Sequence, residues 1–316
     1  MNVCLQPEAL AAALRQLDYE IESFPLFEHG RNMIYEKNIS HDHFWAWVPG
    51  TGVLPEFDPV GFCDALPGNV LFVGDSVSDG QYRVLQFQLG GLESHTDWYP
   101  AHLEEFNTRV STISFKACNG TKLFASVRND WIDARVPGSS YGSPSNGMRN
   151  CMDGVFNAYC TPWLHEDLLS SFRVLVLNAG AHFRSDASYA AGLSATVQGL
   201  ARYSHLHLHT MFRTTAAGYE GCQDHFDDPP FASLQQAEDF LVAHPWYDSA
   251  KFSEQNRIAT DIFRGANFSV LDVYPSSAMR LDGHRDGGGD CLHYRVPGLM
   301  PHWNRLLYAE LKKALD

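Results

Sequence analysis

Three polar sites in this chain have residue types and surroundings suited to acyl transfer. The first is Ser76, in the stretch VLFVGDSVSDGQYRVLQFQL at 70–89. Four apolar residues, Val70 to Val73, predict a buried parallel strand. The run breaks at Gly74-Asp75-Ser76, and Val77, Val84, Leu85 and Leu89 then mark one helical face. In a parallel α/β sheet such a turn lies at the carboxyl edge, with the next helix aiming free N–H groups and its positive dipole end at it. A serine there can serve as a nucleophile, because that field stabilises negative charge on Oγ or on a carbonyl oxygen under attack. The competing reading is that Ser76 or Ser78 caps the helix. The second site is Asn178, directly after the apolar run FRVLVL at 172–177; its amide could face the same edge as an oxyanion donor, or it could form a turn before Gly180. The third is the polar segment 282–293, where Asp290 and His293 stand three apart. That spacing lets a carboxylate hold the imidazole Nδ1–H while Nε2 turns to a serine. His284 and Asp286 are rivals in the same segment, separated from Asp290 by Gly287, Gly288 and Gly289.

Positioning these groups requires repeated strand and helix alternation, and the rest of the chain supplies it. Val110 to Phe115 and Lys122 to Val127 read as short strands joined by the loop Ala117-Cys118-Asn119-Gly120. Ser204 to Phe212 reads as a strand with His205, His207 and His209 on one face; alternating histidines can bind metal, but no further ligand type accompanies them and a polar strand face is favoured. Arg213 to Cys222 leaves it as a loop. Phe252, Ile258, Ala259, Ile262 and Phe263 make a helix face, Phe268 to Val273 a strand, and Trp303, Leu306, Leu307, Leu311 and Ala314 the buried stripe of a terminal helix opened by Pro301. Leu10, Leu14, Leu17 and Ile21 predict an N-terminal helical extension within 1–43. The Gly/Pro/Ser/Asn-rich stretch 136–154 reads as a long loop inside a single domain covering 1–316.

Composition narrows the partners. The 316 residues, 45% hydrophobic and 13% aromatic, suffice for a large core. A formal charge of -14 without a basic run argues against nucleic acid or an anionic membrane, and suits a neutral or cationic substrate. No stretch approaches the roughly 20 apolar residues of a membrane span. Seven cysteines lack zinc-type spacing, and sequons occur at Asn38, Asn119 and Asn267.

Taken together, these residues resemble the SGNH/GDSL hydrolase superfamily and, within it, the PC-esterase group that includes the plant trichome-birefringence-like polysaccharide O-acetyltransferases. The resemblance runs from about Trp45 to the C-terminus. It rests on WVPGTGVLPEFDPVGFCDAL before LFVGDS, on LNAGAHF, on RTTAAGYEGC, on LDGH and above all on DCLHYRVPGLMPHWNRLLYAEL, which is similar to the group's DxxH block and the helix after it. It departs where the usual GDSxxRNQ continuation is Val77-Ser78-Asp79-Gly80-Gln81. The resemblance implies a three-layer α/β sandwich with a mostly parallel central sheet. It makes Ser76 the nucleophile, Asp290 and His293 its partners, and Asn178, the Ser76 N–H and Gly120 the oxyanion hole, with Asp75, Arg213 and His182 in substrate binding. It implies no metal or organic cofactor. Cys63, Cys222 and Cys291 fall in family-like blocks, which favours a secretory lumen such as the Golgi, with Cys291 bridged to Cys222 or Cys63. The function implied is transfer of an acetyl group from a small acyl donor through an acyl-serine to a glycan hydroxyl. Alternatives are an acetyl esterase using water and a noncatalytic glycan-binding protein on the same scaffold.

Overall fold

The computed structural model describes residues 3–4, 45–46, 54–98, 110–134, 163–225, 228–284, 290–295 and 298–314. The long loop expected at 136–154 lies outside them, as does most of the N-terminal extension. Within that extension the described residues Val3–Cys4 (β1) are not helical but pair antiparallel with Trp45–Ala46 (β2).

The site is carried by a seven-stranded sheet of β3 (Val70–Gly74), β4 (Leu92–Trp98), β5 (Val110–Ala117), β6 (Lys122–Arg128), β7 (Val174–Leu177), β8 (His209–Arg213) and β9 (Ser269–Leu271). Its order is β4-β5-β6-β3-β7-β8-β9. β6, β3, β7, β8 and β9 run parallel, whereas β4 and β5 form an antiparallel extension beside β6. Side chains alternate between faces along each strand, so the continuous apolar runs of β3 and β7 feed two cores. Leu71, Val73, Leu175, Leu177 and Phe212 pack with Tyr189 and Leu193 of the helix Asp186–Ala201 and with Ala259 and Phe263 of the helix Phe252–Gly265. On the opposite face Val70, Phe72, Val174, Val176 and Met211 pack with Phe62 of the helix Pro59–Ala65, with Tyr82 and Leu85 of Ser76–Gln88, and with Leu307 and Leu311 of Met300–Lys313. Helices on both faces of a mostly parallel sheet make the expected three-layer α/β sandwich. Each fully buried aliphatic or aromatic side chain contributes about 1.5–3 kcal/mol to holding these layers.

One expected strand begins later than the alternation suggested. Ser204–Leu206 is a 3-10 turn and His207 adopts a left-handed φ of 51°, so the strand starts only at His209. His205, His207 and His209 therefore do not share a strand face, and His205 instead meets Glu166 at 3.1 Å. The apolar residues Leu206 and Leu208 still pack on the core, which explains why the period looked strand-like.

Two disulfides are present among the described residues. Cys63–Cys118 ties the helix Pro59–Ala65 to the turn between β5 and β6, and Cys222–Cys291 resolves the two partners open to Cys291 in favour of Cys222.

Candidate active site

Ser76 is the first residue of its helix, at the carboxyl end of β3, the middle strand of the seven-stranded sheet. Neither serine caps that helix. Asp75 does, its Oδ1 accepting from the N–H groups of Val77 (2.9 Å) and Ser78 (3.2 Å) while its backbone carbonyl accepts from Asp79 (3.2 Å). The consequence is twofold. The Ser76 hydroxyl is free for other work, and the Ser76 N–H is left without an acceptor among the described residues. The turn is tight enough to need Gly74, because a Cβ there would sit 2.3 Å from Ser78 Oγ and 3.1 Å from the Asn178 carbonyl oxygen.

The polar tail segment supplies the partner. Ser76 Oγ lies 2.6 Å from His293 Nε2, and His293 Nδ1 lies 2.7 Å and 3.0 Å from the two oxygens of Asp290. A carboxylate only accepts, so Nδ1 carries the proton and Nε2 accepts from the serine. Asp290 also accepts from the N–H groups of Leu292 and His293, both at 3.3 Å. Desolvation pushes the Asp290 carboxyl up, but the hydrogen bond and charge of His293 and the two backbone donors outweigh it and hold the pKa at about 2.

The loop carrying this pair is held from behind. Cys291 is bridged to Cys222, and its carbonyl accepts from Tyr219 N–H at 3.2 Å. Gly218 makes this approach feasible, since a Cβ there would lie 2.7 Å from that same carbonyl oxygen. The Tyr294 hydroxyl donates to the Ala217 carbonyl at 2.6 Å, and its ring meets Trp303 of the terminal helix edge-on, with centroids 5.3 Å apart.

Several sequence-predicted site residues stand elsewhere. Gly120, with φ of 77°, sits in the turn entering β6, and β6 runs parallel to β3; it is therefore at the amino edge of the sheet, opposite Ser76, and cannot serve the oxyanion. Asn178 is at the right edge but fully engaged below the surface. Its Nδ2 donates to the Arg213 carbonyl (2.9 Å) and Thr215 Oγ1 (3.4 Å), and its Oδ1 accepts from Ser78 Oγ (3.3 Å), leaving no amide hydrogen for a substrate oxygen. Arg213 is 1% exposed, donating to Ser78 Oγ at 2.9 Å and to the Thr214 carbonyl at 3.2 Å, with its guanidinium over the Trp303 ring. Burial lowers its pKa to about 10, against the upward pull of Asp75. Arg213 and the equally buried Asp75 thus support the nucleophile turn from beneath instead of contacting substrate. His182 remains part-exposed near Asp130, 3.5 Å from its carboxylate.

The rival histidine is not at the site. His284 is fully buried, its Nδ1 3.3 Å from the His293 carbonyl and its ring between Tyr219 and Tyr294. Asp286 lies outside the described residues. Burial lowers the His284 pKa to about 4, and burial with the neighbouring Arg305 and Arg280 does the same for His302. In the unfolded chain both titrate near 6.5. Between about pH 6.5 and 4 the unfolded state thus binds more protons, and stability falls as pH falls through that window. A His284→Gln variant is expected to lose about 2 kcal/mol less stability than the parent between pH 7 and 4 in urea melts; parallel pH profiles for the two would contradict it.

Not anticipated from the sequence are Arg128, which ends β6, and Asp130 and Trp131, which follow it at the same edge. Asn129 N–H donates to the Gly74 carbonyl at 2.8 Å, placing this segment beside the nucleophile turn. The signal was available, because Asn129-Asp130 stands at a strand's carboxyl end as Ser76 and Asn178 do.

Xyloglucan O-acetyltransferase 4 of Populus trichocarpa is 25% identical over 317 residues, covering 85% of this chain and 71% of that protein. Xyloglucan O-acetyltransferase 3 of the same species is 25% identical over 309 residues, covering 85% and 75%. Protein trichome birefringence-like 13 of Arabidopsis thaliana is 22% identical over 305 residues, covering 84% and 73%. No family model matches the chain. Among solved structures, a putative acylhydrolase from Bacteroides fragilis is 12% identical with a TM-score of 0.40 over 81% of this chain and 95% of that one. The acetyl xylan esterase AlAXEase is 13% identical with a TM-score of 0.38 over 78% and 100%. The resemblance read from the motifs is borne out: the chain is similar over most of its length to trichome-birefringence-like and xyloglucan O-acetyltransferase proteins.

Proposed function

We propose that this protein is a serine-dependent acyltransferase that moves an acetyl group from a small acyl donor to a hydroxyl of a glycan. The observation that carries this reading is the continuous hydrogen-bonded line Asp290–His293–Ser76 ending on a helix N-terminus. In the proposed cycle His293 Nε2 takes the Ser76 proton as Oγ attacks the donor's acyl carbon. The carbonyl oxygen becomes an oxyanion facing the uncommitted Ser76 N–H. Collapse breaks the bond to the donor's leaving oxygen, which takes the proton from the imidazolium, and the acyl-serine remains. A glycan hydroxyl then gives its proton to Nε2 and attacks the acyl carbon, the bond from that carbon to Oγ breaks, and the imidazolium returns the proton to Oγ, restoring Ser76 and neutral His293. Asp290 holds Nδ1–H throughout and stabilises the imidazolium.

The names of the relatives support acetyl and a polysaccharide as the groups transferred and received. The negative overall charge supports a neutral acceptor. Part-exposure of Asp290 and His293, at 38% and 24%, favours a second acceptor, since water reaches the same acyl-serine and yields an acetyl esterase. We place the reaction in the secretory pathway, a reading supported by the two disulfides and the plant relatives. Among the described residues no helix is long and apolar enough to cross a membrane.

The test is incubation with an acetyl donor and xyloglucan or xylan oligosaccharides, with acetyl ester and free acetate measured separately. Ester formation in excess of acetate release is expected. Acetate alone would reassign the protein as an esterase, and neither product would overturn the acyl-transfer reading.

A further inference from the structure

A group of aromatic side chains gathers where the segments after β6 and β7 leave the carboxyl edge of the sheet, the edge that carries Ser76, without any part in the proton chain. Trp131, His182 and Tyr247 come from three separate segments, after β6, after β7 and before the helix Phe252–Gly265. His182 links them, its ring centroid 6.2 Å from Trp131 and 5.7 Å from Tyr247, the latter edge-on. Trp131 and His182 are part-exposed, and Tyr247 is 40% exposed, one of only three large apolar side chains so exposed among the described residues. Asp130 faces His182, and the Arg184 guanidinium lies 5.3 Å from the Tyr247 ring centroid while donating to Asp248 at 2.9 Å.

The backbone that presents Tyr247 is itself unusual. Tyr247 and Asp248 both have φ of 61°, the left-handed region that non-glycine residues seldom occupy, and here two occur in succession. The turn is kept by Ser249, whose N–H donates to the Trp246 carbonyl at 3.1 Å and whose Oγ accepts from Trp246 N–H at 3.2 Å. Strain of this kind persists where a side chain must be presented for use. Contacts with His182 and Arg184 leave the ring 40% exposed, a small return in stability for a tyrosine held at such a φ.

We propose that Trp131, His182 and Tyr247 form a sugar-binding subsite that seats a neutral pyranose ring of the glycan next to Ser76, an inference that rests on the acyl-transfer reading above. Aromatic faces bind the apolar C–H faces of a pyranose, while the exposed Arg184–Asp248 pair beside Tyr247 is placed to meet its hydroxyls. A neutral ring suits a chain of net charge -14, which would repel an acidic glycan.

The deciding variant is Tyr247→Gly, which removes the ring and suits the left-handed backbone, so the fold is expected to be at least as stable as the parent. Affinity for xyloglucan and xylan oligosaccharides is measured by calorimetry in a Ser76→Ala background, where no turnover intervenes. Tyr247→Gly is expected to weaken binding of the preferred oligosaccharide at least 10-fold, Tyr247→Phe to retain it, and Val60→Ala, an exposed apolar control outside the cluster, to leave it unchanged. Unchanged affinity in Tyr247→Gly, or no saturable binding of either oligosaccharide by the parent, would overturn the subsite. Fluorophosphonate labelling of the wild-type protein separates the two readings: labelling without oligosaccharide binding rejects the subsite alone, and binding without labelling rejects the catalytic reading alone.

Discussion

Replacing Ser76 by alanine is expected to reduce acyl transfer by at least three orders of magnitude while leaving the protein folded. The rate effect follows from chemistry: without Oγ there is no atom to hold the acyl group, and His293 at best activates water against the donor directly. Loss of a triad serine elsewhere costs on the order of 10⁶ in kcat, and the residual activity reflects binding and oxyanion stabilisation. The stability effect follows from the hydrogen-bond pattern. The helix N-terminus is capped by Asp75, not by Ser76, so the hydroxyl contributes a single part-buried bond to His293. A change within about 0.5 kcal/mol is expected in denaturant melts. The converse substitution sharpens the test: Asp75→Ala should cost about 1 kcal/mol or more through the lost cap, whereas Ser76→Ala should not. Turnover within tenfold of wild type in folded Ser76→Ala protein would rule out a covalent serine mechanism.

The parts of this molecule legible in the sequence are those where one local rule dominates. Val70–Val73 and Val174–Leu177 are buried on both faces, so their apolar runs read as parallel strands without competition. The terminal helix shows its Trp303, Leu307 and Leu311 stripe because only one side is covered. Ser204 to Leu208 misled because a 3-10 turn followed by a left-handed His207 also brings alternate residues to the core, and two leucines cannot distinguish the cases. Within the site, the proximity of Ser76, Asp290 and His293 was readable as an expectation from residue type and edge position. The depth of a side chain below that edge was not. Asn178, Asp75 and Arg213 all sit at the carboxyl ends of strands, yet Arg213 and Asn178 are turned inward by mutual contacts through Ser78, and Asp75 by its own helix. Such a network depends on which neighbours meet across three strands, information that no local spacing contains. Gly120 illustrates the other limit. Its composition suits an oxyanion glycine, but strand direction alone puts it at the wrong edge.

Substitution of the two rival histidines should give opposite results in a labelling assay. With His293→Ala, covalent modification of Ser76 by a fluorophosphonate is expected to fall by at least 10³, because Nε2 at 2.6 Å is the only base in contact with Oγ among the described residues. Asp290→Asn should act through the same atom. It converts an acceptor-only partner into one that can donate, favouring the wrong imidazole tautomer, and a loss approaching 10⁴ is expected. His284→Ala removes a ring packed between Tyr219 and Tyr294 and should act mainly on stability, by about 2–3 kcal/mol, because a cavity opens beneath the loop. Since His284 touches the His293 carbonyl, not its imidazole, the labelling rate of the folded fraction should stay within about tenfold of wild type. Conducting the assay below the melting transition of the His284 variant keeps the two effects apart. If instead His284→Ala silences Ser76 in folded protein and His293→Ala does not, the base is His284, and the loop must rearrange from the geometry described before Ser76 can react.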